Sequence, residues 1–326
     1  MQVPLAQLEE TTLQALVRAG YPPDEARIIL NVLFYAQLRG NNQGIVKLTG
    51  AGMPRDPQAQ PPKIIRDHKV SALIDGGRNA GMVAMNYALT VAIDKARQHG
   101  VSIVGTNNTN TSTGAIGYYA NEATKEGFIA LIFSGSGEYV AMHGSYEPIF
   151  GTNPLAIGVP SDGEPIVFDM ATSAIARFGI VEAKTGGRAI PPDVAYDAHG
   201  QPTTDPSAAL AGAIRTFGGY KGAALALMVE IFTQPLVNTS LDANGKKLDW
   251  GNLIILLDPE LLTDRAAFQR RVSALVRRVK SSRKLPGVDE ILIPGERGNQ
   301  MLEHIRQTGI IEIEDTLWTA LQQAAY

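Results

Sequence analysis

The stretch RGNNQGIVKLTG, residues 39–50, gathers Asn41, Asn42, Gln43 and Lys47 within seven positions, where an apolar helix stops. Three amides and an ammonium can hold a small anion, but none of the amides titrates near neutral pH. If a reaction runs here, its proton comes from another group or is not needed. The five histidines, His68, His99, His143, His199 and His304, show neither HxxxH nor HExxH spacing. With no cysteine in the chain, thiolate chemistry is excluded and no metal site is expected.

What remains are glycine- and hydroxyl-rich turns: TNTSTGAIGYY (109–119), FGTNP (150–154), FDMATSAIA (168–176), FGGYKG (217–222) and IPGERG (293–298). Backbone N–H groups beside small side chains let a large polar ligand approach the main chain closely. The run FIALIFSGSGEYVAMHG resembles the start of a dinucleotide fingerprint, with Gly135 and Gly137 after an apolar strand. The third glycine position holds Val140, and Gly144, Pro148, Gly151 and Pro154 follow too closely for a helix to present its N-terminus to a pyrophosphate. A Rossmann site is not expected, and no P-loop or G-x-S-x-G elbow is present.

These turns need elements to position them. Residues 4–39 read as two helices, the first closed by Gly20 and the second opened by YPPDEA, with Pro23 near N1. RIILNVLFYAQLRG is apolar on most faces, which predicts burial on more than one side, against other helices or a second subunit. After a Pro-rich link (51–63) the pattern alternates short strands and helices: strands at 70–77 and 101–106, a helix over 81–100, then the helix YYANEATKEG, the strands FIALIFSG, NPLAIGVPS and PIVFDMAT, and a long helix from about Gly222 to Leu236. NLIILLD (252–258) reads as a strand. The helix after it spaces Phe268, Val272, Leu275, Val276 and Val279 along one face, predicted to pack, with Arg270, Arg271, Arg277, Arg278 and Lys280 on a solvated face.

The chain has 326 residues, 44% of them hydrophobic, and a net charge of −3. That charge attracts neither nucleic acid nor anionic lipid, so a small-molecule partner is expected. MQVPLAQLEE lacks the pattern of a signal peptide, and the most apolar stretch, GAALALMVEIF (222–232), is short and carries Glu230. A cytoplasmic protein is expected.

Taken together and in order, GTNPLAIGVP, FDMATSAIARFGI, AYDAHGQPTTDPSAAL, FGGYKGAALALMVEIF and IPGER resemble the malate/L-lactate dehydrogenase family of NAD(P)-dependent oxidoreductases, over nearly the whole chain. The resemblance implies an α/β fold of the L-sulfolactate dehydrogenase type, with a non-Rossmann, mixed-sheet nucleotide-binding domain flanked by helical segments. The implied division is an N-terminal helical segment (1–62), a central domain (63–250) and a C-terminal strand and helices (251–326) packing with the N-terminal segment. It further implies a homodimer with the active site near the subunit interface, and hydride transfer involving a small carboxylate. By carry-over, NAD or NADP would lie against Gly114, Asp169, Met170, Ala171, Thr172, Lys221, Gly222, Glu296 and Arg297. No isolated acidic or basic residue assigns the adenosine 2′ position, so both cofactors stand.

The opening stretch departs from the family pattern. Most members read Asp-Ser-His-Gly there, with an arginine three residues past the glycine; the histidine is the usual proton donor and the arginine grips the substrate carboxylate. Here Asn42, Gln43 and Lys47 stand in that stretch, and Ser112 occupies the place of a second family histidine. Lys47 can hold a carboxylate as a point charge without arginine's bidentate fork. Three readings follow. A 2-oxo acid would be reduced with another acid, for which His143 is the candidate. A 2-imino carboxylate would need no acid in its iminium form, and Gln43 and Asn42 would accept its N–H. A nucleotide-binding sensor or assembly partner would turn nothing over.

Overall fold

The computed structural model describes residues 1–50 and 52–326, so Ala51, the first residue of the Pro-rich link, lies outside the described residues. In chain order the elements are β1 (Gln2–Pro4), α1 (Leu5–Arg18), α2 (Pro23–Gln37), β2 (Lys63–Asp67), β3 (Ser71–Asp75), α3 (Gly81–His99), β4 (Val101–Thr109), α4 (Gly117–Lys125), β5 (Ile129–Ser134), β6 (Val140–Ala141), β7 (Pro148–Phe150), β8 (Leu155–Val159) and β9 (Ile166–Met170). There follow α5 (Arg177–Thr185), β10 (Ala195–Tyr196), α6 (Pro206–Ala211), β11 (Ala213–Ile214), α7 (Tyr220–Thr233), β12 (Trp250–Leu257), α8 (Arg265–Lys280), α9 (Glu296–Thr308), β13 (Ile310–Glu312) and α10 (Asp315–Ala325). A 3₁₀ turn, Ile45–Leu48, carries part of the opening stretch.

Seven strands form the main sheet in the order β2-β3-β4-β12-β5-β8-β9. Only β3 and β4 pair in parallel, joined by the crossover helix α3; the other neighbours are antiparallel. This mixed sheet is the non-Rossmann α/β arrangement expected. After β5 the Gly135–Gly137 segment leads into β6 and not into a helix. A Cβ on Gly135 would lie 2.8 Å from Thr233 Oγ1, so this glycine serves close packing.

The strongest sequence signals hold. Pro23 opens α2, and Gly100, at φ 77°, ends α3 in the left-handed conformation that costs glycine little. β12 lies between β4 and β5, and the interior position explains its nearly unbroken apolar run. The apolar faces of α2 are buried within the same chain, where it packs on α1, α3 and α4. Sequence reading misses β1, β13, β2, β6, β7, β10 and β11. The last four form a separate sheet, β10-β11-β6-β7, over a second small core containing Val140, Phe150, Ile180 and Ile214.

The packed face expected of α8 is realised only in part. Phe268, Val272 and Val276 are half-buried, but Leu275 and Val279 are 60% and 41% exposed, because no element among the described residues covers the outer half of the stripe. No helix among the described residues is long and apolar enough to cross a membrane.

Candidate active site

The segments expected to hold a nucleotide meet on one strand. β9 runs through Asp169 and Met170 into Ala171 and Thr172. Near its start, the PGER turn lies so close that a Cβ on Gly295 would be 3.1 Å from the Val167 carbonyl oxygen. Glu296 closes that turn by accepting the Ile293 N–H (3.1 Å) and pairing with Lys280, and Arg297 follows, exposed. Beyond its end, Thr172 is fully buried. Its N–H and hydroxyl both donate to the Thr152 carbonyl (2.9 and 3.1 Å), and its own carbonyl accepts the Phe217 N–H (3.0 Å).

Phe217 begins the GGYKG turn. Gly218 and Gly219 have φ of 57° and 61°, a region costly for other residues, and Gly218 has open space where a side chain would stand. Lys221 projects, exposed, from the first turn of α7. At Gly222 a Cβ would lie 2.1 Å from the Phe217 carbonyl oxygen, so only glycine permits the approach. Open glycine backbone, a helix N-terminus and an exposed ammonium suit a nucleotide's phosphates.

Asp169 is half-buried, with one carboxylate oxygen accepting the Gly117 N–H (2.8 Å) at the head of α4. Burial raises its pKa to about 6, against the lowering effect of that hydrogen bond. Ser112 and Gly114 lie in the loop leading into α4, and the Ser112 hydroxyl accepts the Gly114 N–H (3.1 Å). Gly114, at φ 72°, sits where a Cβ would come within 2.5 Å of Val32, so this loop is seated on α2.

The opening stretch is seated on the same helix. Gln37, at the end of α2, accepts the Ile45 N–H through Oε1 (3.1 Å), and a Cβ on Gly44 would be 2.3 Å from that oxygen. Asn41 Oδ1 accepts the Gln43 N–H (2.9 Å), and Gln43 Nε2 donates to Asn42 Oδ1 (3.2 Å). The last bond uses one of the two acceptor positions of the Asn42 oxygen, and Gln43 Oε1 remains available to a ligand as well. Asn42 faces α5, where a Cβ on Gly179 would be 3.5 Å from its Nδ2.

Lys47 is buried, 4% exposed, with Nζ 4.0 Å from the centre of the Phe178 ring. Among the described residues no carboxylate lies within 4.0 Å of it. Burial alone lowers its pKa to about 7. Thus Asn42, Gln43 and Lys47 form one cluster against α5, and α5 begins five residues beyond Thr172. Among the described residues His143 has no hydrogen bond to that cluster. It is exposed, near Gly219 and with its ring 6.4 Å from that of Tyr220, beside the nucleotide turn.

Sequence reasoning missed Gln37 and Phe178, whose roles exist only through contact. It also missed a buried trio behind the cradle. Asn153 donates to Glu230 (2.8 Å) and to the Ala226 carbonyl (3.0 Å), and Glu230 pairs with Lys247 (2.8 Å). Asn153 adjoins Thr152, whose carbonyl holds Thr172. The available signal was Glu230 itself, a charge inside an apolar run that needs a partner.

The segments expected to hold a nucleotide thus meet on β9, and a buried cation and an amide pair lie against α5, the helix that follows it. Residues 3–322 match the family malate/L-lactate dehydrogenase, and the chain belongs to that family. L-sulfolactate dehydrogenase of Methanothermobacter thermautotrophicus is 39% identical over 261 residues, covering 78% of this chain and 74% of the relative. Delta(1)-pyrroline-2-carboxylate reductase 1 of Burkholderia ambifaria is 35% identical, covering 79% of each. The crystal structure of malate dehydrogenase from Entamoeba histolytica superposes with a TM-score of 0.91 at 27% identity, covering 100% of this chain and 97% of that one. The family, the fold and the NAD(P)-dependent oxidoreductase class expected from the sequence are borne out. The comparisons give no support to a nucleotide-binding protein without turnover.

Proposed function

We propose that the protein reduces C2 of a small 2-oxo acid or 2-imino carboxylate, or runs the reverse oxidation, with Lys47 holding the carboxylate and Gln43 and Asn42 orienting the reacting C=O or C=N. One observation carries this reading. The strand that organises the nucleotide segments leads directly into α5, whose Phe178 seats the Lys47 ammonium. Hydride donor and anion would therefore meet at one place in the chain.

Bound NAD(P)H supplies the hydride. The glycine turns, Lys221, Glu296 and Arg297 would hold the nucleotide, and Asp169, Met170, Ala171 and Thr172 would form its floor. Gly114 would lie against the nucleotide, and Ser112 would border the substrate as a hydrogen-bonding group. Gln43 Oε1 would accept an iminium N–H and the Lys47 ammonium would donate to a ketone oxygen, so both substrate types stand.

The homodimer is also part of the proposal. Its support moves from α2, buried in its own chain, to α7, where Leu227, Met228 and Ile231 are 37%, 44% and 40% exposed on one helical face. That face adjoins Lys221, so a second copy would lie near the site. A cytoplasmic location rests on the cysteine-free composition.

The test is consumption of NADH and of NADPH, in parallel, with a panel of 2-oxo acids with and without methylamine, plus pyrroline- and piperideine-2-carboxylate. Turnover of at least one is expected. Tight cofactor binding with no turnover of any would return the protein to a sensor.

A further inference from the structure

Reduction of a 2-oxo acid needs a proton as well as a hydride, and neither family histidine position can supply one here. Gln43 and Ser112 do not titrate in the neutral range. His143 is exposed and stands with Gly219 and Tyr220. Asp169 lies on the cofactor strand with one oxygen engaged by the Gly117 N–H. Among the described residues of the Asn42–Gln43–Lys47 cluster, Lys47 is the titratable group.

Its surroundings are unusual for a lysine. Phe178 lies under the ammonium, and α1, α2 and α10 pack against the 3₁₀ turn that carries it. The charged groups of those elements are directed elsewhere. Glu9 pairs with Arg27, Glu25 with Arg55, and Asp315 with the N-terminal ammonium. On α5, Arg177 stacks on Tyr139, while Glu182, one turn beyond Phe178, feels Glu314 and Arg188. Glu10 accepts from Gln14, Asp24 forms no ion pair with Lys47 among the described residues, and Arg18 and Lys184 are cations that cannot compensate it. A structural lysine this buried would be expected to carry a carboxylate partner.

We propose that Lys47 is the proton donor of this enzyme as well as its carboxylate anchor, an assignment that rests on the reductase reading above. An ammonium has three N–H donors, and a 2-oxo acid presents a carboxylate oxygen and the C2 oxygen on the same side, so one ammonium can engage both. C2 receives the hydride with its electron pair from the dihydronicotinamide, which is left oxidised. The C=O π pair moves onto oxygen, and that oxygen takes a proton from Lys47 Nζ. Lys47 is left as a neutral amine and regains its proton from water. Burial lowers the pKa of the ligand-free Lys47 to about 7, so its ammonium gives up a proton more readily than an exposed lysine does.

Lys47→Arg separates the two roles, because arginine grips a carboxylate but does not release a proton near neutral pH. In Lys47→Arg we expect kcat on a 2-oxo acid to fall by about 10²–10⁴, with KM changed far less and NAD(P)H affinity retained. Iminium reduction should fall by about tenfold or less, since the substrate brings its own proton. Adding Gln43→His to Lys47→Arg should recover oxo-acid reduction. As a readout independent of turnover, wild type at pH 8 should take up a proton on binding oxamate, measured calorimetrically in buffers of different ionisation enthalpy, and Lys47→Arg should not.

Undiminished kcat in Lys47→Arg, or no proton uptake in wild type, would overturn the assignment and leave Lys47 as an anchor. Turnover of imines alone would overturn it while keeping the reductase reading; no turnover of any substrate would remove that reading itself. Should Lys47→Arg fail to fold, the wild-type profiles decide. Oxo-acid kcat should fall above its alkaline inflection where iminium kcat does not, and parallel profiles would contradict the proposal.

Discussion

The cradle proposed for the nucleotide and the 41–47 loop are built on opposite principles. The cradle is held by backbone: Thr172 bonded to Thr152 on one side and Phe217 on the other, with Gly222 and Gly295 placed where a Cβ would collide. The loop is held by side chains, Gln37 gripping Ile45 and Phe178 lying under Lys47. A backbone-built site tolerates almost any side chain that does not alter its path. A side-chain-built site can be rechemistried by a few substitutions. On that principle the glycine turns stay while Gln43, Ser112 and Lys47 stand where the family resemblance leads one to expect two histidines and an arginine.

The cradle should break from behind. Lys247→Met strands Glu230 without its cation in a buried position, and we expect a loss of about 3–5 kcal/mol in urea unfolding, with weaker NAD(P)H binding. The double variant Lys247→Met with Glu230→Gln should recover much of that loss, because the orphaned charge is gone. Next in size is Gly222→Ala, which drives a methyl against the Phe217 carbonyl. It should cost about 2–4 kcal/mol and weaken cofactor binding, while Ala224→Gly on the same helix should leave cofactor affinity in place.

The loop should respond with the opposite sign. Lys47 has a folded pKa near 7, below the ordinary lysine value, so between those values the unfolded chain binds more protons and stability rises with pH. Below about pH 7 both states carry the charge and the full desolvation cost remains. Lys47→Met should therefore stabilise the protein by roughly 2 kcal/mol at pH 6, with the advantage shrinking towards pH 10, while activity collapses. A pH-independent difference would place the ammonium in water. Smallest is Gln37→Ala, which frees the Ile45 N–H; about 1 kcal/mol and a raised KM with unchanged NAD(P)H affinity are expected.

The same contrast explains what could be read from sequence. α2, α3 and β12 were legible because their caps, period and apolar runs act locally. β6, β7, β10 and β11 were not, since strands of two or three residues carry no period and exist only through their neighbours. In the site, amides and a lysine at 41–47 announced themselves by type, and the resemblance located the glycine turns. The burial of Lys47 was illegible, because lysine in a polar loop ordinarily lies in water. Phe178 gave no sign, since an aromatic in AIARFGI reads as core until α5 is placed against the 3₁₀ turn.

The most direct test of the account is whether the substrate carboxylate is required. Consumption of reduced nicotinamide would be compared for a 2-oxo acid, or its imine, and the corresponding 2-oxo amide. We predict turnover of the acid with little or none of the amide, and loss of that preference in Lys47→Met. Equal turnover of acid and amide would contradict the account, because Lys47 would then hold no anion.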